Sequence, residues 1–371
     1  MAVEFFGNTL EAWLVLVVAA FAGGAFGAAI GALPAFVFTG LMVIVGEGAN
    51  IIKSELGAAG VASADAINVG ITGSIAFGPV FGPHISFAGG AAAAAYAARK
   101  GYMDTGFDYF EAKNIAHALG TKPDVLVVGG LFGILGMFIR QFSGAFALPW
   151  DPIAMGVVLS AIFHRIVLGF PVIGDVRGRS ILDMSPFERE EMRQTAEGGK
   201  VVADGGKPIA DGGATATRFK VEPWLPHQYE WANVAMIGLV VGLLAAYTAV
   251  KTGSFFLAFG ISAASLVFLA LGIEQIPVTH HIALPASTAA LAIVPETVTT
   301  VPILPALAIG ALFGVSGALT GEVIQRVFYA HSDTHFDPPA AAIVVNSFFI
   351  AVLAIVGVLP QAGWVPTLGL L

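Results

Sequence analysis

The sequence predicts an all-α polytopic membrane protein made of two homologous halves, each with about five apolar segments. Three observations carry that expectation. The first is composition. Of 371 residues, 57% are hydrophobic and only 11% charged, where a soluble domain carries roughly 25% charged residues to face water. The mean hydropathy is +0.84. The second is the run of charge-poor stretches, clearest at residues 10–45, 125–139, 153–163, 232–250, 255–273, 303–321 and 340–359. Several reach the 18 or so residues that let a helix cross about 30 Å of hydrocarbon. The third is repetition. GPHISFAGG at 82–90 returns as THHIALPAS at 279–287.

That repetition extends along the chain in a fixed order. His84-Ile85 matches His281-Ile282, GGLFGILG at 129–136 matches GALFGVSG at 310–317, and Asp151-Pro152 matches Asp337-Pro338. Upstream, AAFAGGAFGAAIG at 19–31 is echoed by AAYTAVKTGSFFLAFG at 245–260. Three units follow: a first membrane repeat (1–174), a polar Gly-rich linker (175–230) and a second membrane repeat (231–371). An odd number of crossings per half turns the copies upside down relative to each other, an inverted repeat with its solute site near the midplane.

Within each half the first two segments are uninterrupted apolar runs. Residues 1–6 lack a basic n-region, so the first segment is expected to remain as a span. The third segment is unusual. Gly78-Pro79 and Gly82-Pro83 precede His84, and Pro277 and Pro285 bracket His280-His281. Proline removes a donor and clashes one turn back, so both copies read as broken or re-entrant helices. Such backbone is tolerated at membrane depth only where protein or water satisfies it. Small residues follow, Gly89-Gly90 in one copy and Ser287-Thr288 in the other, leaving room for a passage. The expected solute-binding residues are therefore His84, Gly89, Gly90, Thr279, His280, His281, Ser287 and Thr288. Intramembrane ionisable groups are costly and tend to be functional. The competing account is structural: the histidines bond a nearby carbonyl, and Ser287 or Thr288 caps a half-helix.

The last two segments of each half are apolar helices. Asp151 and Asp337 each precede a proline, the pattern of an N-cap followed by Pro at the first helical position. Glu322 and Arg326, four apart, are expected to pair on one helix face. Arg165 is expected to snorkel to the surface. Residues 108–117 read as an interfacial amphipathic helix. The linker holds eight of the seventeen Lys and Arg residues, which places it in the cytoplasm. Its GGK, DGGK and DGGA repeats read as a flexible connector.

Several chemistries are disfavoured. The absence of cysteine excludes disulfides and thiolate metal sites. A net charge of −8 argues against nucleic acid. No HExxH, paired-carboxylate motif or phosphate loop suggests an enzyme or a cofactor. His331, Asp333, His335 and Asp337 alternate like metal ligands on a strand, but without a first-half counterpart they read as a solvated loop. The expectation is a channel or secondary transporter for a small solute or ion in the cell membrane. A structural subunit without transport is the alternative, and a metal-dependent intramembrane enzyme the remoter one. Leu284-Pro-Ala-Ser-Thr288 resembles the start of the LPxxT signature of urea transporters, although the Pro-Phe expected next is replaced by Ala290-Leu291. Ammonium channels similarly pair one histidine from each half. Both resemblances imply a small polar solute and a homo-oligomer, a trimer by analogy.

Overall fold

The computed structural model describes residues 9–61, 70–193, 218–298 and 300–371. Among these residues the chain is all-helical. The first half contains α1 (Leu10–Ile30), α2 (Ala32–Ala58), a π-helical turn (Ile71–Ala76), α3 (Ser86–Arg99), α4 (Pro123–Ala145) and α5 (Pro152–Leu168). After the short α6 (Ser185–Glu188), the second half contains α7 (Trp231–Thr252), α8 (Leu257–Ala264), α9 (Leu266–Ala270), α10 (His280–Ala292), α11 (Ile303–Ile324) and α12 (Pro338–Ile355). Six of these (α1, α2, α4, α7, α12, and α11 with its π-helical continuation to Tyr329) are long and apolar enough to cross a membrane.

The helices are inside out by the standard of a soluble protein. Val18 is 68% exposed and Leu304 76%, while the helix interfaces are lined by alanine and glycine. Lipid is as apolar as leucine, so burying large side chains brings no gain, and small residues let backbones approach. In the first half, α1 and α4 run antiparallel with Gly24 on the Gly129 carbonyl and Gly133 on that of Ala20. In the second half, α7 and α11 do the same, with Gly242 on Gly310 and Gly314 on Gly238. Gly31, at φ +94, makes the sharp turn from α1 into α2 that a side chain would strain.

The short third helices lie alongside these pairs. Gly89 of α3 meets the backbones of Gly24 and Gly129, and Ser287 of α10 donates to the Ala245 carbonyl at 3.3 Å. At 14 and 13 residues, each spans about 20 Å, less than the hydrocarbon. α3 is broken as expected, following turns over residues 77–85. α10 runs straight through Pro285. The proline has no N–H for the His281 carbonyl, and Gly317 packs directly against that oxygen.

Two helix pairs join the halves. Gly40 of α2 meets Ala263 and Ala264, and Gly260 of α8 meets Val43. The Asp151 N–H donates to Ser347 Oγ at 2.9 Å, and His164 Nε2 lies 3.1 Å from Thr334 Oγ1. Thirteen residues forward from Asp151 thus correspond to thirteen back from Ser347, so α5 and α12 are antiparallel.

Four expectations need correction. Arg165 does not snorkel: it is fully buried, donating to Thr334 Oγ1, Ser332 Oγ and the carbonyls of Val172 and Thr334. A guanidinium with five donors is held better by those oxygens than by a distant surface. Residues 108–117 form no amphipathic helix; the region holds only a 3₁₀ turn, Glu111–Lys113, with Lys113 buried. The 331–335 stretch is not a solvated loop but wholly buried. The linker is not a free tether along its described flanks. Arg193 Nη1 and Arg218 Nη1 donate to Asp333 Oδ1 at 3.0 and 2.7 Å, and Arg218 brackets Glu222. The GGK, DGGK and DGGA repeats at 198–214 lie outside the described residues.

Candidate functional site

A cavity of about 1270 Å³ opens between the two halves. Several helix starts face it, among them α2 at Leu33 and Phe36 and α8 at Phe256 and Phe259. Pro83 and Phe87 present the beginning of α3, His280 and Leu284 that of α10, Asp151 to Ala154 that of α5, and Asp337 with Ala340 that of α12. Asp151 Oδ1 accepts from the N–H groups of Ile153 and Ala154 at 2.8 and 3.2 Å, and Asp337 Oδ2 from Ala340 N–H at 2.8 Å. The Asp-Pro pairs are therefore N-caps, as their chemistry suggests, and they also form part of the cavity wall. Ser347, beside Asp151, is ten residues beyond Asp337, so the two caps stand about 15 Å apart along α12.

The middle of the cavity is aromatic. Phe36 stands 4.7 Å, ring centre to ring centre, from His280, 5.9 Å from Phe87 and 6.1 Å from Phe259. Phe87 meets the His335 ring edge-on at 5.6 Å. His335 Nε2 lies 3.4 Å from Asp337 Oδ1. Lys113 closes this end, its ammonium 2.6 Å from Glu222 Oε2 and 2.9 Å from the Tyr329 carbonyl. Burial pushes the Lys113 amine down to about 8 even though the Glu222 carboxylate favours its charge. Arg218 and Lys113 outweigh burial at Glu222 and hold its carboxyl at about 2.

Of the eight residues expected to bind solute, the structure brings one to this cavity: His280. The repeated histidines point elsewhere. His84 is packed on Gly136 and Gly156, where a Cβ on Gly156 would stand 2.6 Å from its own Cβ. His281 lies against Gly321 and a void of about 10 Å³ shared with Trp224, Glu322 and Gln325. Gly89 and Gly90 are helix contacts, with Gly90 meeting Ala32. Ser287 bonds Ala245, and Thr288 donates to the Leu284 carbonyl while accepting from Trp364 Nε1, each at 2.8 Å. Thr279 precedes α10 and is buried off the wall. In α10 adjacent residues are turned by about 100°, and in both copies the residue before the repeated histidine, Pro83 or His280, is the one that reaches the cavity.

Sequence reasoning did not single out Phe36, Phe87, Phe259 and Lys113, and it considered His335 only for metal binding. A phenylalanine in an apolar run carries no signal of its own, and Lys113 stands in a loop far from both motifs. Among the described residues no group of three or more His, Asp or Glu side chains is placed to hold a metal ion. His331 lies near Arg177 and the Ile181 carbonyl, Asp333 takes two arginines, and His335 turns to Asp337.

No curated protein and no solved structure matches the chain. One family profile covers residues 7–368, nearly the whole sequence, and the chain belongs to that group, described as "Family of unknown function (DUF7973)".

Proposed function

We propose that the chain is a membrane permease, a channel or secondary transporter, that moves a small molecule through the cavity between two inverted halves. Inversion is supported by the way the halves meet. Corresponding helices pair across the boundary, α2 with α8 and α5 with α12, and the α5–α12 pair is antiparallel. Two copies related by an axis in the membrane plane pair in this manner. The matched glycine contacts of α1–α4 and α7–α11 support duplication independently.

The observation that carries the transport reading is the cavity itself. It is ringed by the starts of two helices too short to span, and His280 on its wall has no hydrogen bond within the protein. Discontinuous helices meeting at the centre of two repeats are a recurrent way to build a solute site in a membrane. No reaction is assigned to the chain in this reading. A cell-membrane location remains part of the proposal, supported by the large apolar side chains that the helices expose, and a homo-oligomer remains part of it by analogy alone.

The test is flux in proteoliposomes, measured by stopped flow for urea, ammonium, glycerol and a series of organic acids and amines. Wild-type chain accelerates at least one of them, and His280→Ala reduces that flux by about tenfold, the loss of one interaction of about 1.4 kcal/mol. His84→Ala, which alters a packing contact, lowers the amount of folded protein more than the flux per folded molecule. Absence of flux for every solute, with both proteins folded, would turn the reading toward a structural subunit.

A further inference from the structure

The start of α10 leaves hydrogen-bonding capacity unused on the wall of the cavity. A helix cannot satisfy its first four N–H groups internally. In α10 those of Ile282 and Ala283 both turn back to the Thr279 carbonyl at 3.0 Å, while those of His280 and His281 find no acceptor among the described residues. No side chain caps this helix, and its first turn contains no acidic residue. The His280 imidazole lies at the same place, 4% exposed and on the cavity wall, with no hydrogen bond of its own. Burying a polar ring without a partner costs free energy, and a bound ligand would supply that partner.

The other helix starts on the cavity differ: at α2 the Leu33 N–H donates to the Ile115 carbonyl, and at α8 Ser254 Oγ accepts from the Phe256 and Leu257 N–H groups. α5 and α12 each bring a carboxylate, Asp151 or Asp337, that occupies the open N–H groups. α3 uses the carbonyls of Gly82 and Pro83 to cover most of its own. At α10 the positive end of the helix, two N–H groups and an imidazole converge without an anion. The remaining wall carboxylates do not supply one. Asp108 and Glu274 are exposed, and of the wall cations Lys113 is already paired with Glu222.

Size and lining define the rest of the ligand. Small-molecule sites run to about 300–1,000 Å³, and this cavity reaches about 1270 Å³. Phe36 and Phe259 flank His280 at 4.7 and 5.8 Å between ring centres, with Phe87 behind Phe36. Such a box suits an aromatic or otherwise bulky apolar body. We propose that the cavity binds an organic anion of this kind. Its carboxylate or equivalent oxyanion sits on the start of α10 beside His280, and its body lies among Phe36, Phe87 and Phe259. The proposal rests on the permease reading for its choice of cavity, but it concerns binding and can stand without transport.

Isothermal titration of the full chain in nanodiscs tests it with four probes: 2-naphthoate, neutral 2-naphthamide, the cation 2-naphthylmethylammonium, and acetate. Naphthoate binds at least about tenfold tighter than the amide, as a charge-assisted bond requires, and acetate, lacking the body, binds far more weakly. His280→Ala removes most of the naphthoate-over-naphthamide preference, and His280→Gln, which keeps a donor, restores part of it. Phe36→Ala weakens naphthoate and naphthamide alike. An amide or cation that binds as well as naphthoate overturns the proposal, as does failure of every naphthalene probe to bind. Because the preference is read in the unaltered chain, the test survives a variant that does not fold. Naphthoate binding without flux of any solute would leave this proposal standing and remove transport. Flux of small solutes that naphthoate neither follows nor inhibits would do the reverse.

Discussion

Glu222→Gln is the substitution whose cost is best defined by the geometry. Glu222 has no exposed side-chain surface, and it takes Lys113 at 2.6 Å and Arg218 at 2.8 and 2.9 Å. Neutralising it leaves Lys113, Arg218 and Arg193 with Asp333 as the remaining carboxylate of the cluster among the described residues. Removing one partner of a buried ion pair costs about 3–5 kcal/mol, because the other charges stay buried without compensation. An independent route agrees. A carboxyl held at about 2, against an ordinary 4.5, corresponds to about 3 kcal/mol at neutral pH. The sign follows from the depressed value: this stability is complete above about 4.5 and is lost as the pH falls from there toward 2. Thermal unfolding of the full chain in nanodiscs should therefore show a midpoint several degrees lower for Glu222→Gln at pH 7. The gap to wild type should close as the pH is lowered below 4.5. Adding Lys113→Met should recover part of the loss by removing the stranded ammonium. A midpoint within experimental error of wild type at pH 7 would show that the linker flanks do not dock on the membrane helices as described.

Gly242→Ala should destabilise the α7–α11 crossing by about 1–3 kcal/mol, as overpacking does. Its Cβ would stand 2.5 Å from the Gly310 carbonyl, and reaching the 3.4 Å of ordinary contact parts the helices by about 0.9 Å. Gly48→Ala in α2 meets nothing within 4 Å and should stabilise by about 0.5–1 kcal/mol through helix propensity; unfolding midpoints of the two variants should move in opposite directions. Asp151→Ala and Asp337→Ala each remove a cap, a loss of about 1 kcal/mol, readable in the same assay. Arg165→Met leaves Thr334, Ser332 and the Val172 carbonyl without their buried donor, and the yield of folded protein should drop several-fold.

The membrane character and the positions of the apolar helices were legible because hydropathy is a property of composition summed over a whole segment. The Asp-Pro helix starts were legible too, since capping is local. The site was not. The carbonyls of His84 and His281 each meet a glycine of the partner helix, Gly136 or Gly317, and repetition records shared packing as faithfully as shared function. The cavity position beside each differs between copies, Pro83 in one and His280 in the other, so a search for what repeats passes over it. The upstream match was out of register for a similar reason. Residues 19–31 resemble 245–260 in their small residues, but the structure aligns Ala20, Gly24 and Ala28 with Gly238, Gly242 and Ala246. Only contacts with the fourth helix of each half distinguish the two alignments. Arg165 and the 331–335 stretch were misread as facing water because their partners are distant in sequence, about 170 residues apart.

The inverted arrangement can be tested directly, and the absence of cysteine makes the chain suited to it. Helix α4 ends beside Asp151, which pairs with Ser347, whereas α11 ends beside Thr334, which pairs with His164. Those two pairs lie about 20 Å apart along α5, and on the proposed inversion corresponding helices of the two halves finish at opposite ends of the bundle. Gly144, at the end of α4, is exposed with open space around it. Arg179 is exposed and close to the end of α11, since Arg326 donates to the Leu182 carbonyl nearby. In sealed vesicles of one orientation, a membrane-impermeant maleimide should label Gly144→Cys and Arg179→Cys from opposite sides. Two copies in parallel would expose both to the same side, and the central cavity would then lack the two-fold symmetry on which the permease reading depends. Opposite labelling would leave only a two-fold axis in the membrane plane to relate the halves, and would place the starts of α3 and α10 on either side of that axis, facing one solute.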